Sequence, residues 1–359
     1  MTDRLRSGIV GGGMIAAVHA RAVRSAGGIV TAVVDVNASA AERAACSFGA
    51  ERALTSLDDL LELDEVDVVH ICTPNHLHSP FALQALAAGK HVICEKPLAT
   101  DPAAAGELAR TADSVGVVNA VPFIYRFYPT VRQARARVRG GESGRIRLVH
   151  GSYLQDWLAM PSDDNWRVDP SLGGASRAFG DIGVHWCDLA EFISGHRIVR
   201  LSARLMTVHD QRGDIGVRTE DAAGVMFETD GGALGVLVIS QVTHGRKNRL
   251  WISLDGETES LAFDQELPDS LWVGTRDQNA IVMRGSTTGF AGDHLNVLPP
   301  GHPQGYQDSF TGFVHDVYEK VRGEQVDGLP TFADGARAAV ITAAVLESDA
   351  RRDWVEVAG

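Results

Sequence analysis

The stretch Gly11-Gly12-Gly13-Met14-Ile15-Ala16 follows a short apolar run, residues 7–10, and opens a helical pattern over residues 14–26. Gly11 permits a tight turn, Gly13 lets a pyrophosphate approach the backbone, and Ala16 is small enough for close packing of a helix on a strand. The next apolar run, residues 29–36, carries Asp35 near its end, about twenty residues after the turn, where an acidic side chain binds ribose hydroxyls. The pattern predicts a dinucleotide site formed by Gly11, Gly13, Met14, Ile15 and Asp35. A carboxylate at Asp35 repels a 2′-phosphate and favours NAD over NADP, although an acidic residue after a strand is also an ordinary turn residue.

Apolar strands alternate with amphipathic helices throughout the first third of the chain. Further strands are predicted at 66–73, 91–95 and 117–121, each separated from the next by a helical segment. Continuous apolar strands between helices are typical of a parallel sheet that is covered on both faces. The prediction is a doubly wound Rossmann domain over residues 1–122.

The rhythm changes after Pro122. Between residues 199 and 284 strands follow one another without helices, and Asp230-Gly231-Gly232 and Asp255-Gly256 have the composition of hairpin turns. This pattern predicts an α+β domain over residues 123–359, built on a large, mostly antiparallel open sheet. Residues 233–240 are apolar at nearly every position, so both faces of that strand need cover, and too few helices remain to cover both.

Length, charge and cysteine content limit the classes of function that this protein can have. The 359 residues suffice for two domains, and the net charge of −13 disfavours nucleic acid and anionic membranes as partners. The four cysteines, Cys46, Cys72, Cys94 and Cys187, form no CxxC pair and are interpreted as small core residues in a reducing compartment. The N-terminus lacks the apolar core of a signal peptide, and a cytoplasmic location is expected.

A second group of candidates stands where a later parallel strand ends. Ligands of open α/β sheets bind at such strand ends, so Thr73, Asn75 and His78 are candidates for cofactor contacts. Asn75 is equally suited to cap a helix, and both roles are compatible. For His76 a place in the first helical turn is the preferred interpretation. A metal site is not expected, because His76 and His78 diverge on a helix and no third ligand is close in sequence.

Glu95-Lys96-Pro97 also follows an apolar strand. A lysine at a strand end beside a cofactor crevice, followed by a proline of restricted backbone, is a better catalytic candidate than a lysine on an open surface. Its ammonium group can donate to a substrate oxygen and favour the alkoxide that forms before hydride departs.

Asp181 and His185 are four residues apart at the predicted start of a helix, residues 183–194, and therefore share a face. His185 can accept a proton near neutral pH, and Asp181 can orient the ring or bind a substrate hydroxyl. The alternative is a capping role for Asp181 and a buried, structural role for His185.

Four motifs together resemble the glucose–fructose oxidoreductase/inositol dehydrogenase (Gfo/Idh/MocA) family over essentially the whole chain: Thr73-Pro74-Asn75, Glu95-Lys96-Pro97, Gly173-Gly174 and Asp181-x-Gly183-x-His185-x-x-Asp188. The resemblance implies a Rossmann domain with Glu95 and Lys96 at the cofactor. It also implies a second domain whose sheet packs against another subunit, giving a homodimer or homotetramer. The family's catalytic positions fall on Lys96, Asp181 and His185, and Trp166-Arg167 resembles a stretch near the nicotinamide or substrate.

The expected function is NAD-dependent oxidation of a secondary alcohol in a sugar, sugar derivative or inositol-like polyol. His185 is the expected base, and Lys96 polarises the reacting oxygen. Two alternatives stay open: a glycosidase that uses NAD transiently, and a non-enzymatic NAD-binding sensor. Polar and aromatic residues predicted to hold substrate hydroxyls, together with Lys96, Asp181 and His185, are Tyr153, Gln155, Asp156, Trp157, Arg167, His244, His302 and Tyr306.

Overall fold

The computed structural model describes residues 4–213, 215–285 and 290–359. Its internal contacts divide the chain into two units. The first unit contains the residues up to Ile124 together with Tyr306–Ala336, and the second contains Tyr125–Gly305 and Arg337–Gly359. No helix among the described residues is both long enough and apolar enough to cross a membrane.

The described residues form ten α-helices and seventeen strands. The helices, in chain order, are α1 (Met14–Ser25), α2 (Ala38–Phe48), α3 (Leu57–Leu61), α4 (His78–Ala87), α5 (Pro102–Val115), α6 (Pro129–Arg139), α7 (Pro170–Gly173), α8 (Val184–Ser194), α9 (Tyr306–Val321) and α10 (Phe332–Arg351). The strands are β1 (Arg6–Val10), β2 (Ile29–Val34), β3 (Arg52–Leu54), β4 (Val68–Ile71), β5 (His91–Cys94), β6 (Asn119–Ala120), β7 (Leu148–Leu154), β8 (Ile198–Met206), β9 (Gln211–Arg212), β10 (Ile215–Gly216), β11 (Ala222–Thr229), β12 (Leu234–Ser240), β13 (Arg249–Asp255), β14 (Glu259–Asp264), β15 (Ser270–Thr275), β16 (Asn279–Met283) and β17 (Val355–Glu356).

The first unit contains a six-stranded sheet with the order β3-β2-β1-β4-β5-β6, and all of its strands are parallel. The chain order reverses between β1 and β4, which is the switch point where open α/β sheets bind their ligands. Strands β1, β2, β4 and β5 are almost wholly buried, as the continuous apolar runs predict. The predicted Rossmann architecture is therefore confirmed.

Helix α9 packs in the first unit, although the sequence places residues 306–336 in the second domain. The Tyr318 hydroxyl lies 2.8 Å from the Ser7 hydroxyl in β1, and the Phe310 ring lies edge-on to His19 in α1 with centroids 4.6 Å apart. The apolar stripe of α9 thus finds its partners in strands and helices far away in sequence, a pairing that local patterning does not reveal.

The second unit contains a nine-stranded sheet with the order β16-β15-β14-β13-β7-β12-β11-β8-β17. Both predicted hairpins are present, joining β11 to β12 and β13 to β14, and among the described strands of this sheet only β7 and β12 pair in parallel. Helices α6 and α8 contact one face. On β12 the side chains of Leu234, Val236 and Val238 are 40 %, 42 % and 48 % exposed, so a row of apolar side chains stays open.

The cysteines follow the sequence-based interpretation with one exception. Cys72, Cys94 and Cys187 are buried, and burial raises the pKa of each of these thiols. Cys46 is exposed, contrary to the expectation of a core position. It lies in α2 next to two buried alanines, Ala44 and Ala45, which occupy the inner face of that helix.

Candidate active site

The glycine-rich turn closes against the end of β4. Gly11 has a backbone φ of +98°, and a side chain there would place its Cβ 2.7 Å from the carbonyl oxygen of Cys72. A Cβ at Gly12 would lie 2.7 Å from the Asp35 carboxylate. At Gly13, in contrast, nothing lies within 4 Å of the Cβ position. Gly11 and Gly12 are thus required by packing, whereas Gly13 leaves open space, as close approach of a pyrophosphate requires.

Asp35 anchors this turn directly. One carboxylate oxygen accepts the backbone N–H of Gly12 at 2.8 Å, and the other accepts the N–H of Val36 at 2.7 Å. The half-exposed side chain therefore sets the shape of the turn, in addition to any contact with a ribose.

The start of α1 presents backbone donors. Gly13 precedes the helix without a side-chain cap, the first turn contains no acidic residue, and Met14 is 79 % exposed, while Ile15 is half-buried. The first N–H groups of a helix lack partners within the helix and attract anions. Across the switch point, the Thr73 hydroxyl is buried and has no hydrogen-bond partner among the described residues. Open space, free helix N–H groups and an orphaned hydroxyl together fit a dinucleotide.

The residues after β4 divide into two kinds. Asn75 is buried and begins a short 3₁₀ turn, Asn75–Leu77, whereas His76 is exposed. His78 is 1 % exposed, and its two ring nitrogens lie 2.7 Å and 2.9 Å from the backbone carbonyl oxygens of Pro97 and Thr73. His78 ties the segment after β5 to the end of β4, which is a structural role rather than the predicted contact with a cofactor.

Glu95 and Lys96 follow β5. The Glu95 carboxylate is 6 % exposed, accepts a hydrogen bond from the His19 ring at 3.1 Å, and receives the backbone N–H of Lys96 at 3.1 Å. Burial by itself raises the pKa of Glu95, but the His19 hydrogen bond and the neighbouring Lys96 outweigh it, so the pKa lies below its usual value. Lys96 is half-buried at the end of the strand.

In the second unit, Asp181 lies in a π-helical segment, Phe179–Gly183, which runs directly into α8. The predicted helix therefore starts one turn earlier, and Asp181 is inside it rather than at its cap. Glu220 stabilises the entry because its carboxylate accepts the backbone N–H groups of Arg177 and Phe179. Gly183 is required here, since a Cβ would lie 2.5 Å from the Phe179 ring.

A buried charged cluster holds the Asp181 carboxylate. Gln241, 0 % exposed, donates from its amide nitrogen to Asp181 at 2.8 Å, and its amide oxygen accepts from Arg177 at 3.3 Å. Arg177 is paired with Asp221, which Arg212 also contacts at 2.9 Å. Burial opposes ionisation of Asp221, but backbone N–H donors and the two guanidinium groups keep its pKa below its usual value. Because Arg177 occupies the amide oxygen of Gln241, the amide nitrogen must point at Asp181.

The side chain of Arg167 also lies near Asp181. Its Nε lies 3.6 Å from an Asp181 carboxylate oxygen, and its guanidinium group stacks over the Trp166 ring at 4.4 Å. Two residues predicted for the site, Asp181 and Arg167, are thus brought together by the loop before α7.

His185 lies against a hydrogen-bonded array of hydroxyl and amide groups. The ring, 8 % exposed, packs edge-on to Tyr125 at 5.3 Å and lies 6.5 Å from Tyr153. The Tyr125 and Tyr153 hydroxyls hydrogen-bond to each other, and Tyr153 also donates to Asn248 at 2.8 Å. Burial raises the pKa of Tyr125 to about 12, so this phenol keeps its proton.

The array continues past the C-terminal end of β7. Gln155 donates to Asn248 at 2.7 Å and accepts from the Trp157 ring nitrogen at 2.7 Å. We call Tyr125, Tyr153, Asn248, Gln155 and Trp157 the polar array. An ion pair between Asp188, one turn after His185, and Arg126 holds the segment that carries Tyr125 against α8.

The remaining predicted substrate residues make other contacts, and one of them belongs to the other unit. Asp156 accepts from Lys247 at 2.7 Å and from the Gly245 N–H, and the Lys247 hydrogen bond lowers its pKa. His244 and His302 are exposed, and the His302 carbonyl accepts from Arg284. Tyr306 opens α9 in the first unit and packs on Phe310.

Three residues near the candidate catalytic groups are not predicted from the sequence: Tyr125, Gln241 and Asn248. Tyr125 belongs to an aromatic segment just after Pro122. There the sequence pattern indicates only that one domain ends and the next begins. Gln241 follows β12 and Asn248 precedes β13, so their positions depend on the pairing of strands. A polar residue at the end of an apolar strand was the available signal, but it does not reveal which side chain faces Asp181 or His185.

Comparison with known proteins decides the family. The description "Oxidoreductase family, NAD-binding Rossmann fold" matches residues 5–123, and the "GFO/IDH/MocA C-terminal domain" matches residues 131–262. The chain belongs to the Gfo/Idh/MocA oxidoreductase family. The family, the fold class and NAD as cofactor, each predicted from the sequence, are thereby confirmed, and so is the assignment as an NAD-dependent oxidoreductase.

Relatives within the Gfo/Idh/MocA family span the whole chain. Levoglucosan dehydrogenase of Pseudarthrobacter phenanthrenivorans is 31 % identical, with 99 % of this chain and 98 % of the relative aligned. A solved structure of levoglucosan dehydrogenase in complex with NADH and levoglucosan is 30 % identical, covers 99 % of this chain and 100 % of its own, and has a TM-score of 0.92. An oxidoreductase domain protein from Kribbella flavida is 35 % identical over 100 % of both chains, with a TM-score of 0.92.

Proposed function

We propose that this protein is an NAD-dependent dehydrogenase that oxidises a secondary alcohol of a sugar, a sugar derivative or an inositol-like polyol. The observation that supports this most is the polar array beside His185. A ring bearing several hydroxyl groups needs several donors and acceptors near the base, and the array supplies phenol, amide and indole groups within one chain of hydrogen bonds.

In the proposed reaction His185 acts as the general base and takes the proton of the reacting hydroxyl. Lys96 donates a hydrogen bond to the same oxygen and stabilises the negative charge that develops there. Asp181, held by Gln241 and close to Arg167, binds a neighbouring hydroxyl or orients these groups. The phenol of Tyr125 stays protonated beside His185 and fixes the ring by packing.

NAD, when bound, accepts the hydride from the substrate carbon. The residues proposed to hold it are the Gly11–Gly13 turn, the N-terminal N–H groups of α1 at Met14 and Ile15, and Asp35. Thr73, Asn75, Glu95 and Lys96 line the neighbouring strand ends, and Trp166 and Arg167 are proposed near the nicotinamide or substrate. The carboxylate of Asp35 favours a 2′-hydroxyl over a 2′-phosphate because the phosphate would meet a like charge.

Among substrates, an anhydrosugar is the first candidate, because the levoglucosan dehydrogenase relative aligns over almost its whole length. Inositols and aldoses are the next candidates. The two alternatives are a glycosidase that oxidises its substrate transiently and a sensor that only binds NAD. Both differ from a dehydrogenase in the products that accumulate.

The test is a panel of levoglucosan, other anhydrosugars, inositols, aldoses and aryl glycosides with NAD or NADP. We expect NADH to accumulate in equal amount with a ketone product two mass units lighter than one of the free sugars or polyols. Cleavage of a glycoside without net NADH would establish the glycosidase instead. Tight NAD binding without turnover of any compound would favour the sensor.

The open apolar face of the nine-stranded sheet supports a proposal on assembly. Exposed apolar side chains of β7 and β12, namely Leu148, Leu234 and Val236, line a concavity of about 390 Å³ on this face. Apolar surface of this extent is rare on soluble monomers, and a second copy of the chain is the simplest cover. We therefore propose a homodimer or homotetramer formed through this sheet. The cytoplasmic location stays a prediction from the sequence.

A further inference from the structure

A hydrogen-bonded chain of buried side chains runs through the first unit from α9 to Glu95. The Tyr318 and Ser7 hydroxyls are 2.8 Å apart, and Ser7 lies 3.2 Å from Nε2 of His70. Nδ1 of His70 lies 2.9 Å from Nδ1 of His19, and Nε2 of His19 lies 3.1 Å from Glu95. Ser7, His19, His70 and Tyr318 are 0 % exposed. The proposed reaction assigns no task to these four residues.

The number of protons in this chain determines its direction. Four hydrogen bonds join the five residues, and each bond requires one proton. With neutral imidazoles, Tyr318, Ser7, His70 and His19 carry one mobile proton each, and an ionised Glu95 carries none. All four bonds are satisfied only if every donor points towards Glu95. Tyr318 then donates to Ser7, Ser7 to Nε2 of His70, Nδ1 of His70 to His19, and Nε2 of His19 to Glu95.

A fifth proton has no place in the chain. If His19 became an imidazolium, His70 would have to turn its proton towards Ser7, and one hydroxyl proton of Ser7 or Tyr318 would lose its acceptor. The Tyr318 hydroxyl has no other hydrogen-bond partner among the residues that the structure describes. A buried donor without an acceptor is costly, and a buried charge adds to the penalty. Burial, the larger cause, holds the pKa of His70 well below its usual value, in agreement with a neutral ring.

The other groups around the chain leave this count unchanged. Near Glu95 lie Lys96, whose charge lowers the pKa of Glu95, and His78, whose own pKa is lowered by burial. Burial and the charge of Glu95 raise the pKa of the Cys72 and Cys94 thiols, so both stay protonated. On the remaining side, the Phe310 ring packs against His19 at 4.6 Å and provides no acceptor in the ring plane.

We propose that Tyr318, Ser7, His70 and His19 are positioning residues that hold the Glu95 carboxylate unprotonated and in one orientation beside Lys96. One carboxylate oxygen is taken by His19 and the other by the Lys96 backbone N–H, so the chain fixes the turn from which the Lys96 side chain extends. This inference rests on the proposed function, because it matters for the reaction only if Lys96 acts on the substrate.

The ring nitrogens of the two histidines test the chain directly. We would record long-range ¹H–¹⁵N correlations on protein labelled with ¹⁵N-histidine, with and without NAD and without substrate, between about pH 6 and pH 8. His19→Gln and His70→Gln variants identify the two signals. We expect His19 to carry its proton on Nε2 and His70 on the rarer Nδ1, and His70 to stay neutral over this range. Opposite tautomers, or protonation of His70 within it, would overturn the inference.

Kinetics test the effect on Lys96. His19→Leu should lower kcat by between about 10-fold and 100-fold, the size expected when a functional group loses its support, with the affinity for NAD changed little. His19→Gln, whose amide can accept from His70 and donate to Glu95, should restore most of this loss. Tyr318→Phe should have a smaller effect than His19→Leu, because Ser7 still donates towards His70.

Two controls separate a positioning role from a loss of fold. Thr31→Val alters a buried hydroxyl in β2 that has no hydrogen-bond partner among the described residues and should leave kcat unchanged. Equal kcat in His19→Leu and the unmodified protein would contradict the inference, as would equal losses in the Leu and Gln variants. If no substrate is oxidised at all, the proposed function fails, whereas the tautomers measured without substrate still decide whether the chain exists.

Discussion

Asp35 carries two tasks that substitutions can separate. Its carboxylate holds the Gly12 N–H and carries the charge that discriminates against a 2′-phosphate. Asp35→Asn keeps an oxygen for Gly12 but removes the charge, whereas Asp35→Ser removes both. We expect the ratio of the NADP and NAD dissociation constants to shift towards NADP by about tenfold or more in Asp35→Asn. NAD binding should weaken further in Asp35→Ser. Calorimetric titration measures both constants, and tighter binding of NADP than NAD by the unmodified protein would contradict this assignment.

Lys96 and His185 are the side chains on which the proposed chemistry depends. Lys96→Ala and His185→Ala should each lower kcat by roughly 10²–10⁴-fold, the usual contribution of an acid–base group, and leave the NAD dissociation constant nearly unchanged. Lys320→Ala, which removes an exposed lysine from the end of α9, is the matched control and should be neutral. Near-normal turnover of either active-site variant would remove that residue from the mechanism.

Local patterning locates candidate residues best when they belong to compact motifs. Gly11, Gly13, Asp35 and Lys96 are recognisable because a turn, a strand end and a short spacing place them without knowledge of distant contacts. His78 shows the limit of this reasoning: its position after β4 predicts a cofactor contact, but packing turns both ring nitrogens to backbone carbonyl oxygens. Which way a buried imidazole points depends on neighbours that local patterning does not identify.

Among the elements, the junction of β12 with the π-helical segment links the buried charged cluster to Asp181. Gln241→Leu removes the donor to Asp181 and leaves Arg177 with one acceptor fewer. We expect kcat to fall by about tenfold, because Asp181 loses its orientation, and stability to fall as well. Gln241→Glu should be worse and should shift the pH profile of kcat upwards, since a second carboxylate disfavours ionisation of Asp181. Identical pH profiles in both variants would show that Gln241 does not act through Asp181.

His70 in strand β4 should make the folded protein less stable at acidic pH. Burial places the pKa of His70 well below 6.5 in the folded protein. Below about pH 6.5 the unfolded chain therefore binds a proton that the folded chain excludes, and stability falls on acidification by up to about 1.4 kcal/mol per pH unit for this residue. Urea unfolding at several pH values should show a shallower slope for His70→Gln than for the unmodified protein. An unchanged slope of the unfolding free energy against pH would show that His70 does not cause the acid sensitivity.

The type of each long element is predictable from periodicity, and helix α8 ends at Ser194, as the helix predicted over residues 183–194 does. Short strands such as β3 and β17 are not, because two or three residues carry no period and pair only when a neighbouring strand is already in place. The π-helical segment is missed for a similar reason: Glu220, forty residues later, supplies the acceptors that stabilise it.

The whole chain leaves one sheet face to be covered. Val236→Glu with Val238→Glu places two charges in the open apolar row of β12 without changing its buried side. We expect light scattering to give a multiple of 38.4 kDa for the unmodified protein and a smaller mass for this double variant. Leu267→Glu, at a residue 66 % exposed outside the nine strands, should leave the mass unchanged. A monomer of 38.4 kDa for the unmodified protein at micromolar concentration would contradict the proposed assembly.

Hydride transfer itself is the central claim, and deuterium tracing tests it most directly. A sugar or polyol that the substrate panel identifies, deuterated at every carbon-bound position, would be incubated with NAD and the protein, and both products analysed by mass spectrometry. We predict that one deuterium per turnover appears in the reduced nicotinamide and that the sugar product is the ketone lacking that deuterium. Return of the deuterium to the sugar without net NADH, or its loss to water, would contradict the account.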